Sequence, residues 1–429
     1  MKAIGIDIGT TSICGILIDA KSGTLLKKEE RPNNATIKTE FSWERIQNPK
    51  TILETAFDVV TSLYDDDVIS IGVTGQMHGI VYLDKDGNDV SPLYFWQDER
   101  GNLPYGETTY AKHLNSFTGY GYVTHFYNKE NSLIPNDAVT FCTIHDFVAA
   151  KLAGNKKPVV HSTDAASFGQ YDLNENKFTV NDSFLPEVCD DYKIIGKYKN
   201  ADVSVAIGDN QASFIGSVCG SGSVLVNAGT GSQVSVVSDK IAQLSGIETR
   251  PFVEGKFLLV GCSLCGGKSF SLLENFFRKT VKFITGTEPD DVYSVMNKSL
   301  SKNEKTTLKI DNRFLGTRDN PEIRASITNL CPENFTPEDF LIAMVEGMAD
   351  ELSKMFSSTS LECENLIGSG NGIRKNPALK RALSEKFGKT LKVPAHKEEA
   401  SFGAALFSLV ASGFYPCISE AQKIIKYEV

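Results

Sequence analysis

The sequence predicts an α/β protein made of two related halves flanking a cleft, and three observations carry that prediction. An apolar hairpin opens the chain: Ala3-Ile4-Gly5-Ile6 and Ile13-Cys14-Gly15-Ile16-Leu17-Ile18 flank the turn Asp7-Ile8-Gly9-Thr10-Thr11. A hairpin of the same design returns in the second half. There Ser223-Val224-Leu225-Val226-Asn227 and Gln233-Val234-Ser235-Val236-Val237 flank Ala228-Gly229-Thr230-Gly231-Ser232. After the first hairpin, a helix and a strand complete a strand–helix–strand order, with polar residues gathering where the strand ends.

Each element has local support. Residues 48–64 read as a helix, because Asn48 suits the N-cap, Pro49 suits N1, and Ile52, Leu53, Ala56, Val59, Val60 and Leu63 form one apolar face. Val68 to Val73 reads as a strand running into the loop Thr74-Gly75-Gln76-Met77-His78-Gly79. Val203-Ser204-Val205-Ala206-Ile207-Gly208-Asp209 reads as a strand ending in a carboxylate. The boundary falls just beyond it, which gives domains 1–217 and 218–429. No low-complexity linker marks the join, so the domains are expected to pack closely around the cleft.

A length of 429 residues exceeds one ordinary core. Hydrophobic residues at 41% and charged residues at 23% are the balance of a globular protein. The net charge of −9 argues against nucleic acid and anionic membrane as partners. No apolar run approaches the ~18 residues of a membrane helix. The N-terminus alternates and carries Asp7 where a signal peptide is apolar, so a cytoplasmic location is expected. The nine cysteines are odd in number and lie mostly in apolar runs, which suits reduced core thiols. Cys262-Ser263-Leu264-Cys265 lacks the second pair, or the histidines, of a zinc site. His113, His125, His145, His161 and His396 show no metal-ligand spacing and are read as structural. Oligomeric state is not legible, and a homodimer stays open.

The turns carry the chemistry. Glycine lets backbone N–H groups approach an anion closely, and Thr and Ser hydroxyls add donors without bulk, so both Gly-Thr turns suit phosphate oxygens. Asp7 is a hard carboxylate placed to hold Mg²⁺ beside the first turn. Asp209 is placed to accept an alcohol proton. Alone, each has a plainer reading, since a Gly-Thr turn commonly just closes a hairpin and a strand-end Asp commonly just caps.

Four motifs occur in one order: Asp-Ile-Gly-Thr-Thr-Ser from Asp7, Gly-Asp-Asn-Gln-Ala-Ser from Gly208, Ala-Gly-Thr-Gly-Ser from Ala228, and Gly-Ser-Gly-Asn-Gly from Gly368. This series resembles the FGGY carbohydrate kinases, members of the actin-like ATPase (ribonuclease H-like) fold, along essentially the whole chain. The resemblance implies ATP and Mg²⁺ as cofactors and a small sugar as partner. It implies a first phosphate loop at Gly9, Thr10, Thr11 and Ser12, and a second at Gly229, Thr230 and Gly231. Asp7 becomes the magnesium-side carboxylate and Asp209 the catalytic base. Gly266 and Gly267 resemble an element beside the nucleotide. Gly368, Gly370 and Asn376 resemble the adenosine stretch, with Ser369 standing where the family has a glycine.

On the sugar side, Gln76, Met77 and His78 with Trp96, Asp98 and Arg100 resemble the family's substrate motifs. Trp96 offers a flat face for C–H groups, while the polar residues offer partners for hydroxyls. Gln-Met-His is similar to xylulokinases and sedoheptulokinases. Thr118-Gly119-Tyr120-Gly121, Thr143-Ile144-His145-Asp146-Phe147-Val148 and Asp164-Ala165-Ala166-Ser167-Phe168-Gly169 lean toward the latter. The expected activity is therefore phosphorylation of a ketose at its terminal hydroxyl, sedoheptulose before xylulose. Two other readings are weaker. Gly266-Gly267-Lys268-Ser269 misses the spacing of a P-loop by one residue. A non-catalytic actin-like nucleotide-binding protein would have no use for the sugar motifs.

Overall fold

In the computed structural model, which describes residues 1–229, 231–302 and 305–428, the opening hairpin forms as strands β1 (Lys2–Ile8) and β2 (Ser12–Asp19). Their register sets Asp7 against Cys14 and Ile8 against Ile13, leaving Gly9 to Thr11 as the connection. Strand β3 (Leu25–Pro32) pairs with β2. Helix α1 (Pro49–Leu63) starts where the sequence asks, with Asn48 Oδ1 accepting the N–H groups of Lys50 and Thr51 at 3.0 and 3.3 Å. Its buried face of Ile52, Ala56, Val59, Val60 and Leu63 joins the core under the hairpin.

Strand β4 (Val68–Gly75) runs parallel to β1, with Thr74 beside Asp7 and Gly75 beside Ile8. Helices α2 (Ile144–Leu152) and α3 (Ser162–Ala165) precede the other flank of the sheet, strands β5 (Ile194–Tyr198) and β6 (Ala201–Ser204). The strand order is β5-β6-β4-β1-β2-β3. The segment expected as one strand from Val203 to Asp209 is broken. The Val205 N–H turns to Lys193 O at 2.8 Å, and the chain rejoins β4 only as the short strand β7 (Ile207–Gly208). Asp209 is then the first residue of helix α4 (Asp209–Ser217), not the last of a strand.

By packing, the chain divides into two compact units. The first holds Met1–Ser217, Arg250–Lys256 and Glu398–Lys426; the second holds Val218–Thr249, Phe257–Lys397 and the extreme C-terminus. Segments 250–256 and 398–426, placed by sequence in the second domain, thus return to the first unit. The helix Glu399–Ala411 is the reason, because it lies against β1, β4 and α4. A Cβ on Gly5 would strike Ser401 O, and one on Gly403 would strike Ala212 O, so the backbones touch directly at these glycines. Ser70 Oγ and Ser408 Oγ share a buried hydrogen bond of 2.9 Å, and Ser401 Oγ donates to Cys14 O at 3.0 Å.

The second unit repeats the plan. Strands β8 (Ser223–Ala228) and β9 (Ser232–Ser238) form its hairpin, and β10 (Phe257–Ser263) pairs with β9. Helices α5 (Gly266–Thr285) and α6 (Pro337–Ser358) follow, then β11 (Asn365–Ser369), parallel to β8, helix α7 (Pro377–Phe387) and β12 (Leu391–Lys392). The order β10-β9-β8-β11-β12 matches β3-β2-β1-β4-β6, an antiparallel hairpin whose first strand takes a parallel neighbour. Among the described residues no helix is long and apolar enough to cross a membrane.

Candidate active site

The first unit gathers its ionisable groups at the ends of β1, β4 and β7. Burial raises the Asp7 carboxyl, the charge of Asp209 raises it further, and His145 opposes, leaving it at about 7. Asp209 is also raised, by burial first, while the side chain of Asn210, Arg250 and His145 pull it down. Behind them His145, Asp146 and Asp164 are fully buried, with candidate ligand atoms within 4.8 Å of one another. His145 Nε2 lies 2.9 Å from Asp164 Oδ1. Burial alone would lower the imidazole, but Asp164, Asp146 and Asp209 outweigh it and lift it to about 9. The charge of His145 in turn favours the ionised forms of Asp7 and Asp209. Asp146 is itself raised to about 8 by burial and by Asp164, and accepts a hydrogen bond from Thr143 Oγ1 at 2.6 Å.

The turn after Asp7 is wired to Gln76 and Trp96, two of the residues expected to meet a sugar. Trp96 Nε1 donates to Thr10 Oγ1 at 3.0 Å, and Thr10 Oγ1 donates to Gln76 Oε1 at 3.2 Å. Gln76 Nε2 donates to Gln47 Oε1 at 2.9 Å, and Gln47 Nε2 returns to Thr10 O at 3.1 Å. Thr10, Gln76 and Gln47 thus close a circuit to which Trp96 is tied through Thr10; Gln47 and Gln76 are 1% and 5% exposed while Trp96 stays 44% exposed. Asn33 holds the same turn, donating from Nδ2 to Gly9 O at 2.9 Å and from its backbone N–H to Thr11 O. Ser12 begins β2.

His78 adopts φ +72°, a left-handed conformation unusual for a side chain of its size. Its N–H donates to Ser167 Oγ at 3.1 Å, and its Nδ1 lies 2.9 Å from Ser167 O. A carbonyl partner requires the proton on Nδ1, which makes Nε2 the acceptor in the neutral ring. The ring stacks on Tyr120 at 4.3 Å. Met77 is buried, packing against Gly208 just before Asp209.

Asp98 and Arg100 do not open toward a substrate, for they are 0% and 1% exposed and spent on each other. Asp98 Oδ1 accepts from Arg100 Nε at 2.6 Å, and Oδ2 accepts from the Arg45 N–H at 2.9 Å. The guanidinium lies over the Tyr94 ring at 4.2 Å and beside Trp43 and Tyr127.

In the second unit three glycine elements converge on the end of β8. The Gly229 N–H donates to Gly231 O at 2.9 Å, and the Gly267 N–H donates to Gly229 O at 3.0 Å. A Cβ on Gly266 would collide with Ser232 Oγ, so the start of α5 rests directly on the turn. Ser369 is paired with Asn227, whose Nδ2 donates to Ser369 Oγ at 2.8 Å, and Gly370, at φ +84°, lies against Ala228 O. Gly368 is in β11. Asn376 is occupied otherwise: its side chain caps α7 by accepting from the Leu379 N–H at 3.0 Å. Thr230 lies outside the described residues.

Residues 2–216 match the N-terminal domain of the FGGY family of carbohydrate kinases. The chain belongs to that family. It is 26% identical to the sedoheptulokinase of Homo sapiens over 95% of this chain and 97% of that protein. It is 20% identical to the xylulose kinase of Staphylococcus xylosus over 98% and 93%. The solved structure of Plasmodium falciparum glycerol kinase with ADP superposes with a TM-score of 0.82 at 18% identity, covering 100% of this chain and 93% of the other. This FGGY kinase therefore has the two-domain actin-like fold, and it is a carbohydrate kinase.

Two groups of site residues in the kinase escaped sequence reasoning. Gln47 sits outside every motif, and only the fold brings it under Thr10. His145 and Asp164 are separated along the chain and meet only because α2 and α3 approach the end of β4. Both stretches stand out in the sequence as family-like motifs, but nothing there joins them; locally Thr143 caps α2 by accepting from the Asp146 N–H.

Proposed function

We propose that this kinase transfers the terminal phosphoryl group of ATP to the terminal hydroxyl of a ketose, sedoheptulose in preference to xylulose. The observation that carries the reading is the closed circuit of Thr10, Gln76 and Gln47, with Trp96 tied to it through Thr10. It fixes the phosphate turn and the sugar motifs to one another, as a transfer between two bound substrates requires. Trp96, half exposed, offers its face to the sugar, and His78 and Gln76 offer hydroxyl partners. Asp98 and Arg100 support this wall from behind rather than touching the sugar.

Asp209 accepts the proton of the attacked hydroxyl. Burial raises its proton affinity, which makes it a stronger base than a solvated carboxylate. Asp7 fits a divalent cation: it is a hard oxygen donor whose carboxyl is pushed up partly by the like charge of Asp209. Mg²⁺ bound there would offset phosphate charge. Gly9 to Ser12 form the first phosphate loop, and Gly229 to Gly231, Gly266, Gly267, Gly368 and Gly370 form the nucleotide side. The ADP in the Plasmodium falciparum kinase supports the nucleotide reading. The Gly229 and Gly267 N–H groups are themselves engaged, by Gly231 O and Gly229 O.

Sedoheptulose is favoured because the relative of that name matches at higher identity than the xylulose kinase of Staphylococcus xylosus. The test is a side-by-side kcat/KM for sedoheptulose, xylulose, ribulose and glycerol with ATP. Sedoheptulose should lead by roughly tenfold or more per extra buried hydrogen bond. A clear win for xylulose would overturn the choice of sugar but keep the ketose. Turnover of glycerol alone would overturn the sugar wall itself.

A further inference from the structure

Asp209 begins α4 directly after β7, so its direction is set by the peptide group that joins Ile207 to Gly208. That peptide is gripped from both sides by buried hydroxyls. Thr74 Oγ1 donates to the Ile207 carbonyl at 2.7 Å, and the Gly208 N–H donates to Thr163 Oγ1 at 3.1 Å. Thr74 is 0% exposed and Thr163 1%. Gly208 also has no room to drift, because a Cβ there would meet Met77 and Gln211.

Thr163 does not end the chain of bonds. Its hydroxyl lies 3.0 Å from His161 Nδ1, and its own N–H donates to the same nitrogen at 3.3 Å. An imidazole nitrogen that accepts an N–H cannot carry a proton, so Nδ1 is the acceptor and the ring proton is on Nε2. The hydrogen of the Thr163 hydroxyl is thereby committed to His161, and its lone pair is turned to Gly208. The result is a directed series: Gly208 N–H to Thr163, Thr163 O–H to His161. The His161 ring is braced edge-on against Phe407 at 5.7 Å. Burial also keeps the imidazole neutral, at about 4.

We propose that Thr163 and Thr74 are positioning residues for phosphoryl transfer, clamping the 207–208 peptide so that the Asp209 carboxylate meets the attacked hydroxyl, with His161 orienting the Thr163 hydroxyl. The clamp rests on the reading of Asp209 as the base. A hydroxyl, unlike a methyl, can accept the Gly208 N–H. The isosteric Thr163→Val therefore removes the grip while preserving volume, and leaves the Gly208 N–H buried without its acceptor.

The experiment is steady-state kinetics on full-length Thr163→Val, Thr163→Ser and Asp209→Asn with the best sugar from the comparison above. Thr163→Val should lower kcat on the order of tenfold to a hundredfold, the scale of a small misplacement of a catalytic group, with sugar and ATP KM within about twofold. Thr163→Ser, which keeps the hydroxyl, should restore kcat to within about threefold of wild type. If Thr163→Val does not fold, Thr74→Val and Thr74→Ser are read in the same way on the other face of the peptide. A Thr163→Val or Thr74→Val enzyme with wild-type kcat overturns the clamp, as does a loss that the serine variant does not repair. Asp209→Asn separates the two ideas: if it retains most activity the base assignment fails, whereas an inactive Asp209→Asn beside a fully active Thr163→Val removes the clamp alone.

Discussion

Replacing Gln47 by leucine isolates the circuit that joins the first Gly-Thr turn to Gln76 and Trp96, the proposed phosphate and sugar elements. The side chain keeps its bulk but loses both bonds, so Gln76 Nε2 is left without its acceptor and Thr10 O without its donor. Each buried polar group stripped of its partner costs about 1–3 kcal/mol, and leucine recovers part of that by apolar burial. The expected net loss is about 2–4 kcal/mol from the first unit. Tryptophan fluorescence reads it directly, because both tryptophans, Trp43 and Trp96, lie in that unit. Urea unfolding followed by this signal should shift to lower midpoint. Sugar KM should rise roughly tenfold, equivalent to about 1.4 kcal/mol, as Gln76 and Trp96 lose alignment, while ATP KM changes little. An unchanged midpoint together with an unchanged sugar KM would refute the positioning role of the circuit.

Three further outcomes are expected. Asp209→Asn should reduce sugar phosphorylation by about 10²–10⁴-fold with nucleotide still bound, measured by product formation and by nucleotide titration calorimetry; substantial residual turnover would exclude it as the base. His161 titrates at about 4 in the folded chain, against 6.5 for an exposed histidine, because burial penalises its cation more than Asp164 favours it. The unfolded chain therefore takes up this proton first, and stability is lost as pH falls from about 6.5 to 4, in total about 3 kcal/mol. The stability difference between wild type and His161→Gln should shrink by that amount over the range; a constant difference would contradict a buried neutral imidazole. Gly403→Val should destabilise the first unit by more than about 3 kcal/mol, because its side chain meets the Ala212 carbonyl of α4; a soluble variant with the wild-type melting temperature would rule out the close approach.

What could be read from the residues was what local patterns encode. The two hairpins and α1 follow from alternation, a cap and an N1 proline, and they form at the expected places. The break before Asp209 was not legible, since Val205 and Ala206 are as apolar as a strand requires and the break is a one-residue register change against β4, from Val203 beside Ile71 to Ile207 beside Thr74, which only the tertiary pairing shows. Asp98 and Arg100 show the opposite failure. Their spacing looks like a polar pocket, yet burial under Tyr94 and Trp43 turns them into a mutual pair. Asn376 similarly looked like a ligand contact and serves as a helix cap. His145 and Asp164, like Gln47 and Thr10, are joined by the fold and leave no mark on the linear order.

The return of Glu399–Ala411 to the first unit has a consequence for how the protein is made. Translation delivers β1 and β4 before the segments of the second unit, and this helix only after Phe257–Lys397. Until the ribosome reaches it, the groove at Gly5 and Gly72, shaped to receive the helix backbone, stays open, and Ser70 and Cys14 O wait for Ser408 and Ser401. The first unit therefore cannot finish folding as a nascent domain while the second is still being synthesised. A premature stop codon anywhere in the second unit would leave the first unit with an uncovered apolar face, a substrate for chaperones and proteases rather than a working fragment.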